Sequence, residues 1–252
     1  MEQVRWAPAP GGRTVRSMRR PLLTLAVLLT LATGSLGAAP ADTPPPLPYR
    51  LADTGGGSQL ITAEAPDPAS TTGTVTWWER RGGRWAEAGS APARFGANGL
   101  AEGATREQGT STTPTGLYDL PYAFGIEDAP AGTRYPYRKV TEDSWWCQDN
   151  ASRAYNRWVE PRPDHCRADE AEHLVAYGTQ YARALVIGFN YDRPVRGRGA
   201  GIFLHVNGRG ATAGCVSVPA DAMAEILAWV RPERRPHIAV GTSSGPTAIT
   251  RY

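Results

Sequence analysis

The sequence predicts a mainly β, single-domain fold, and three observations carry that prediction. Short runs rich in Val, Ile, Thr and aromatic residues recur between Gly, Pro and Asp signals, the pattern of many short strands. Two later runs, Leu185–Asn190 and Gly201–His205, are almost continuously apolar, as buried central strands are. Helical periodicity of useful length occurs once, where Met223, Ile226, Leu227 and Val230 repeat at 3.6-residue spacing behind Pro219. No internal repeat interrupts this pattern.

The first forty or so residues read as an export signal. Arg13, Arg16, Arg19 and Arg20 form a positive region, Leu22 to Ala32 an apolar one, and Ala39-Pro40-Ala41 a small-residue cleavage site. Residues 1–41 are therefore read as a signal peptide, with Met18 as a second possible start. The apolar run is shorter than the roughly 18 residues of a spanning helix. Residues 42–57, with Pro44-Pro45-Pro46 and Gly55-Gly56-Gly57, form a Pro/Gly-rich linker. Residues 58–252 form the domain, and about 210 residues after the signal are enough for one substantial core.

Within the domain, Ser58–Ala63 and Gly73–Glu79 read as strands, and Arg81-Gly82-Gly83 as a hairpin turn into a strand over Arg84–Gly89. Residues 96–116 read as a polar loop, Gly116–Leu120 as a short strand and Ile238–Val240 as the last one. His173 falls on a short polar helix. Asp221 and Glu225 sit near the N-terminal end of the main helix, where acidic groups are favoured.

Charge excludes one class of partner. Arg5, Arg13, Arg16, Arg19 and Arg20 against Glu2 give the first 41 residues a net +4, so their removal takes the chain from +3 to about −1. No basic patch remains to argue for nucleic acid.

Three cysteines, at 147, 166 and 215, leave an odd thiol in an exported protein. Cys147 and Cys166 flank a segment rich in Pro, Asp, Asn and Arg that would order poorly alone, so these two are expected to be bridged. Zinc held by His165, Cys166, His173 and Cys147 is the weaker alternative, since no Cys-x-x-Cys or paired His spacing is present. No metal and no cofactor are expected.

Cys215 is then the free thiol. On its own it reads as a small buried apolar residue, but Gly214-Cys215-Val216 ahead of a helix suggests a thiolate favoured by the helix N-terminus. His205 ends an apolar strand ten residues earlier, with Gly208, Gly210 and Gly214 between. A hydrogen-bonded core histidine is its plain reading; the neighbouring thiol favours a general base. Backbone N–H groups around Ala213 and Gly214 suit an oxyanion hole.

These residues resemble the catalytic motif of the L,D-transpeptidase (YkuD-type) catalytic domain. His205, the loop, and Thr212-Ala213-Gly214-Cys215-Val216-Ser217 are similar to its His-Gly, variable loop, Ser/Thr-His-Gly-Cys-Ile/Val-Arg pattern. Thr113-Pro114-Thr115-Gly116 resembles the family's Thr-Pro-x-Gly strand entry. Ala123-Phe124-Gly125, Trp145-Trp146-Cys147, Asp149 and Tyr155-Asn156 resemble blocks of one branch. Two positions depart from the pattern: Ala213 stands at the second histidine and Ser217 at the arginine.

The resemblance implies a β-sandwich of mixed sheets with a few short helices, one directly after the catalytic cysteine. It implies a cysteine enzyme acting on peptidoglycan tetrapeptide stems, with Cys215 as nucleophile, His205 as base and a 3→3 crosslink as product. Carbapenems would acylate the same thiol. Water as acceptor would give an L,D-carboxypeptidase, and a decayed site would leave a wall-binding module. Trp146, Tyr155 and Asn156 either line the stem-binding groove or pack beside the disulfide. Gly208 would supply the motif's turn, and Arg209 is the candidate for a substrate carboxylate. The expected partner is the stem peptide. The protein is expected to be a monomer, secreted or in the cell wall, with no membrane contact beyond the signal segment.

Overall fold

The computed structural model describes residues 47–243, so the expected signal peptide and cleavage site, most of the Pro-rich run and residues 244–252 lie outside the described residues. Fourteen strands and one α-helix carry the described chain. In order they are β1 (Gln59–Ala65), β2 (Thr72–Arg81), β3 (Arg84–Arg94), β4 (Leu100–Glu102), β5 (Thr113–Asp119), β6 (Ala123–Gly125) and β7 (Tyr137–Lys139). There follow β8 (Trp145–Cys147), β9 (Arg157–Val159), β10 (Ala171–His173), β11 (Ala184–Val186), β12 (Phe203–Val206), β13 (Val216–Val218), α1 (Ala220–Trp229) and β14 (His237–Thr242).

Eleven strands form one mixed sheet in the order β4-β5-β14-β1-β2-β3-β13-β12-β11-β6-β7. The β1–β2 and β2–β3 pairs are antiparallel, while β1–β14 and β12–β13 are parallel. Ile61, Val75 and Ala91 from one half of the sheet share a core with Leu204, Val206 and Val216 from the other. Met223, Ile226 and Leu227 of α1 join that core, each with no exposed surface. The mainly β, sandwich-type fold expected from the sequence is the one observed.

The β2–β3 hairpin turns through Gly82 and Gly83, at φ 55° and 80°, the positive values a tight two-residue turn demands. β3 runs to Arg94, past the expected end at Gly89, because Gly89 packs flat on the Trp77 ring where the ladder carries a bulge. The run from Leu185 stays in strand only to Val186. Gly188 then bonds back to the Asp119 carbonyl at 2.9 Å, and Asn190 adopts φ 51°. The loop over 96–116 contains β4 and the start of β5, joined as a parallel pair.

Three expectations need correction. His173 ends strand β10, where its ring stacks on Trp145 at 4.2 Å, and is not helical. Leu47 and Leu51, read as linker, pack on Leu60, Trp78 and Trp85, and the Tyr49 hydroxyl accepts the Trp85 N–H at 2.7 Å. The helix does not follow Cys215 directly. Val216, Ser217 and Val218 are fully buried and pair with β12 first, so α1 begins only after Pro219. The helix N-terminus is thereby kept from the thiol.

A second sheet of three strands, ordered β10-β8-β9, lies outside the large one. Cys147 at the end of β8 is bridged to Cys166, as expected, and both are fully buried. Neither sulfur is therefore free to ligate zinc. Asp149, itself buried, bonds Arg167 at 3.0 Å and the Ala151 N–H at 2.9 Å, tying the same loop from a second side.

Candidate active site

Register places the two reactive side chains. In the parallel β12–β13 pair Leu204 lies opposite Val216 and His205 opposite Ser217, so Cys215 is held one residue before the paired segment. The connecting loop is stitched to the far end of β3: Thr212 donates to the Phe95 carbonyl, and Ala97 donates to the Thr212 carbonyl, both at 2.8 Å. The Thr212 hydroxyl donates to the Cys215 carbonyl at 2.6 Å and accepts the Gly214 N–H at 3.1 Å. Thr113, first residue of the Thr-Pro-x-Gly motif, donates to that same Cys215 carbonyl at 3.3 Å. The upstream motif thus anchors the thiol's backbone from 102 residues away.

Cys215 is a free thiol, 7% exposed. Its Sγ accepts the Phe203 N–H and donates to the Gly201 carbonyl, each at 3.4 Å. Burial pushes the thiol up to about 12, and the Glu172 carboxylate adds to the rise. The Phe203 N–H and the Arg106 charge offset only part of it. His205, 5% exposed, is moved the other way, down to about 4, by burial. Its Nδ1 lies 2.7 Å from the Val206 carbonyl, which can only accept, so Nδ1 carries the proton and Nε2 is the basic nitrogen. At neutral pH the pair therefore rests as thiol and neutral imidazole. The thiolate expected from a helix terminus is replaced by a thiol that a base must deprotonate.

His205 and Cys215 open on one cavity of about 220 Å³, lined also by Glu172, Tyr177, Tyr181 and Thr212. Gly208, Arg209 and Ala213, expected at the site, line it too. A second cavity of about 150 Å³ meets Cys215 from another side and is lined by Arg106, Gln148, Gly199 and Ile202, with Glu172 and Ala213 shared. Tyr181 packs edge-on against His205 at 5.7 Å and donates to Glu172 at 2.6 Å. Burial raises the Glu172 carboxyl above its usual range.

Trp146, Tyr155 and Asn156 are not among the residues lining these two cavities. All three are at least 96% buried, because they hold the 199–201 segment from behind. The Asn156 side-chain carbonyl accepts the Trp146 indole N–H and the Gly201 N–H, both at 3.0 Å. The Tyr155 hydroxyl accepts the Gly199 N–H at 3.0 Å and donates to Gln108 at 2.8 Å. Since the Gly201 carbonyl bonds Cys215, these residues position the thiol indirectly.

The two departures from the family pattern have a local account. Ser217 has no exposed surface and donates to the Asn207 side chain at 2.8 Å, so an arginine would not fit there. Ala213 sits exposed on the rim of both cavities. Sequence reading missed Glu172, Tyr181 and Arg106. Each reaches the site through tertiary packing, and no local spacing marks them.

The β-rich domain's parallel strand pair presents a buried thiol and an imidazole to a shared cleft, the two groups that cysteine acyl transfer requires. The family description "YkuD: L,D-transpeptidase catalytic domain" matches residues 69–243, more than half of the chain. The protein belongs to the L,D-transpeptidase catalytic domain family, whose members act on peptidoglycan peptides. Among solved structures, "Structure of Bdellovibrio bacteriovorus Bd1075" is similar at 16% identity and a TM-score of 0.37. The match covers 73% of this chain and 47% of that one, so this chain spans about half its length. No curated protein matches. Among the described residues no helix is long and apolar enough to cross a membrane.

Proposed function

We propose that this protein is an exported cysteine L,D-transpeptidase that forms 3→3 crosslinks between peptidoglycan stems in the cell wall. The observation that carries the reading is geometric: Cys215 and His205 line one cavity, and the Val206 carbonyl holds Nδ1 of the imidazole so that Nε2 is its free nitrogen. Nε2 takes the Sγ proton as the sulfur attacks the donor carbonyl, and the resulting imidazolium then protonates the departing amine. A thioester on Cys215 remains. The acceptor amine loses a proton to Nε2 as it attacks, the C–S bond breaks, and the thiol is restored.

The Thr212 hydroxyl occupies the Gly214 N–H, which leaves the N–H groups of Ala213 and Cys215 to receive the oxyanion. Gly214 itself, at φ 141°, supplies the backbone bend that lets them converge. Arg209, exposed on the rim, meets the outer part of the stem. The test is incubation with defined disaccharide-tetrapeptides and analysis of products. Crosslinked dimer with release of the terminal residue supports transpeptidation. Release without dimer moves the reading to a carboxypeptidase, and no turnover leaves a wall-binding module.

A further inference from the structure

Arg106 is a buried cation without an anion. It is 6% exposed, and among the described residues no carboxylate pairs with it. Two backbone carbonyls hold it, Nε donating to Thr112 at 2.8 Å and Nη1 to Arg198 at 3.1 Å, and its carbon lies 5.7 Å from the Phe189 ring centroid. A buried charge held only by dipoles is costly, and a carboxylate is the partner that would relieve the cost.

The guanidinium is also aimed. It lies between two glycines of positive φ, Gly199 at 117° and Gly214 at 141°. A Cβ at Gly214 would stand 2.9 Å from Nη2, and one at Gly199 would run into Nη1. Gly214 immediately precedes the nucleophile. Arg106 lines the 150 Å³ cavity that shares Cys215 with the cavity holding His205. The cleft therefore has a cationic side and a basic-imidazole side, with the sulfur at their junction.

We infer that Arg106 binds the terminal carboxylate of the donor peptide, fixing the leaving residue in the 150 Å³ cavity while the acyl portion occupies the cavity of His205. This assignment rests on the acyl-transfer reading above. When the scissile carbonyl meets Sγ, the carboxylate of a single departing residue lies about one residue length, ~3.8 Å, further on. Arg106 lies on that side, lining the same cavity as Cys215 with its Nη2 2.9 Å from where a Cβ of Gly214 would stand. Charge-assisted hydrogen bonds to carboxylate are the strong class, and a fork-shaped guanidinium adds direction. The site would select peptides ending one residue after the scissile bond with a free carboxylate. It would discriminate against amidated or extended ends. Arg106 replaces Arg209 as the carboxylate partner, since Arg209 is solvated and lies in the other cavity.

The experiment compares kcat/KM for a disaccharide-tetrapeptide and its C-terminal carboxamide, with the wild-type protein, Arg106→Lys and Arg106→Gln. Wild type should prefer the free acid by about tenfold or more, mainly through KM, with the ratio near one in Arg106→Gln and intermediate in Arg106→Lys. Loop damage alone would slow both substrates and keep the ratio, which would overturn the assignment. Equal use of acid and amide by wild type overturns it without any variant. Turnover of neither by wild type removes the acyl-transfer reading, and the assignment with it.

Discussion

The pair β12–β13 and the small sheet β10-β8-β9 meet at Cys215 but are built on opposite plans. In the first, the reactive residues are ten positions apart and are brought together by adjacent strands and one loop. Its hydrogen bonds converge on the Cys215 carbonyl and sulfur. In the second, three-residue strands are held by the Cys147–Cys166 bridge and the buried Asp149–Arg167 pair, with Glu172 delivered to the cleft from β10. The difference teaches that the chemistry depends on the large sheet, while the wall facing the substrate depends on a covalent clip. The two can be broken separately.

The largest separation is expected from Cys215→Ala. Turnover should fall by about 10³-fold or more, because the other two cysteines are bridged to each other and cannot supply a thiol. Thermal stability should change by only a few degrees, since one small buried atom is lost. A large loss of stability with residual turnover would make Cys215 a structural residue. His205→Gln should follow with a loss of about 10²- to 10⁴-fold, the range for a general base.

The small sheet should answer to reduction. Cys147→Ser with Cys166→Ser removes a bridge spanning 19 residues, worth about 3 kcal/mol by restriction of the unfolded chain. The expected result is a lower midpoint in denaturant together with a raised KM, while the carbapenem adduct on Cys215 still forms. Three titratable thiols in the native protein would refute the bridge.

The pH dependence sharpens the contrast. His205 titrates near 4 in the fold against 6.5 when free, so the unfolded chain takes its proton first. Its contribution to stability is complete above about 6.5 and is lost as pH falls to about 4. The acid limb of kcat/KM should lie near 4, and alkylation of Cys215 should keep rising with pH through 9. An alkylation plateau with an inflection near 6 would mean a preformed thiolate–imidazolium pair. Asp149, held down to about 2 mainly by the Arg167 hydrogen bonds, contributes fully above 3.8 and is lost as pH falls through about 2. Acid unfolding below pH 4 should therefore shift upward in Asp149→Asn, the smallest of these effects.

Much of the first region is legible in the sequence. The hairpin glycines, the apolar run into His205 and the 3.6-residue pattern of α1 are local signals, and the structure follows each. The placement of the helix relative to the thiol is not legible, because the buried segment Val216–Val218 reads equally as a helix approach or a strand. The second region hides more. Glu172 there, and Arg106 in the loop between β4 and β5, are ordinary polar residues in polar segments, and only packing shows that they reach the cavity of the sulfur. Trp146, Tyr155 and Asn156 were visible as a block, yet their task of holding Gly199 and Gly201 depends on hydrogen bonds across more than 40 residues.

The most direct test of the central claim, an activated thiol at Cys215, is the intact mass of residues 42–252 after incubation with a carbapenem. The account predicts a single adduct on the wild-type protein that is absent from Cys215→Ala and much slower to form in His205→Gln. No adduct, or an adduct that survives Cys215→Ala, would contradict it.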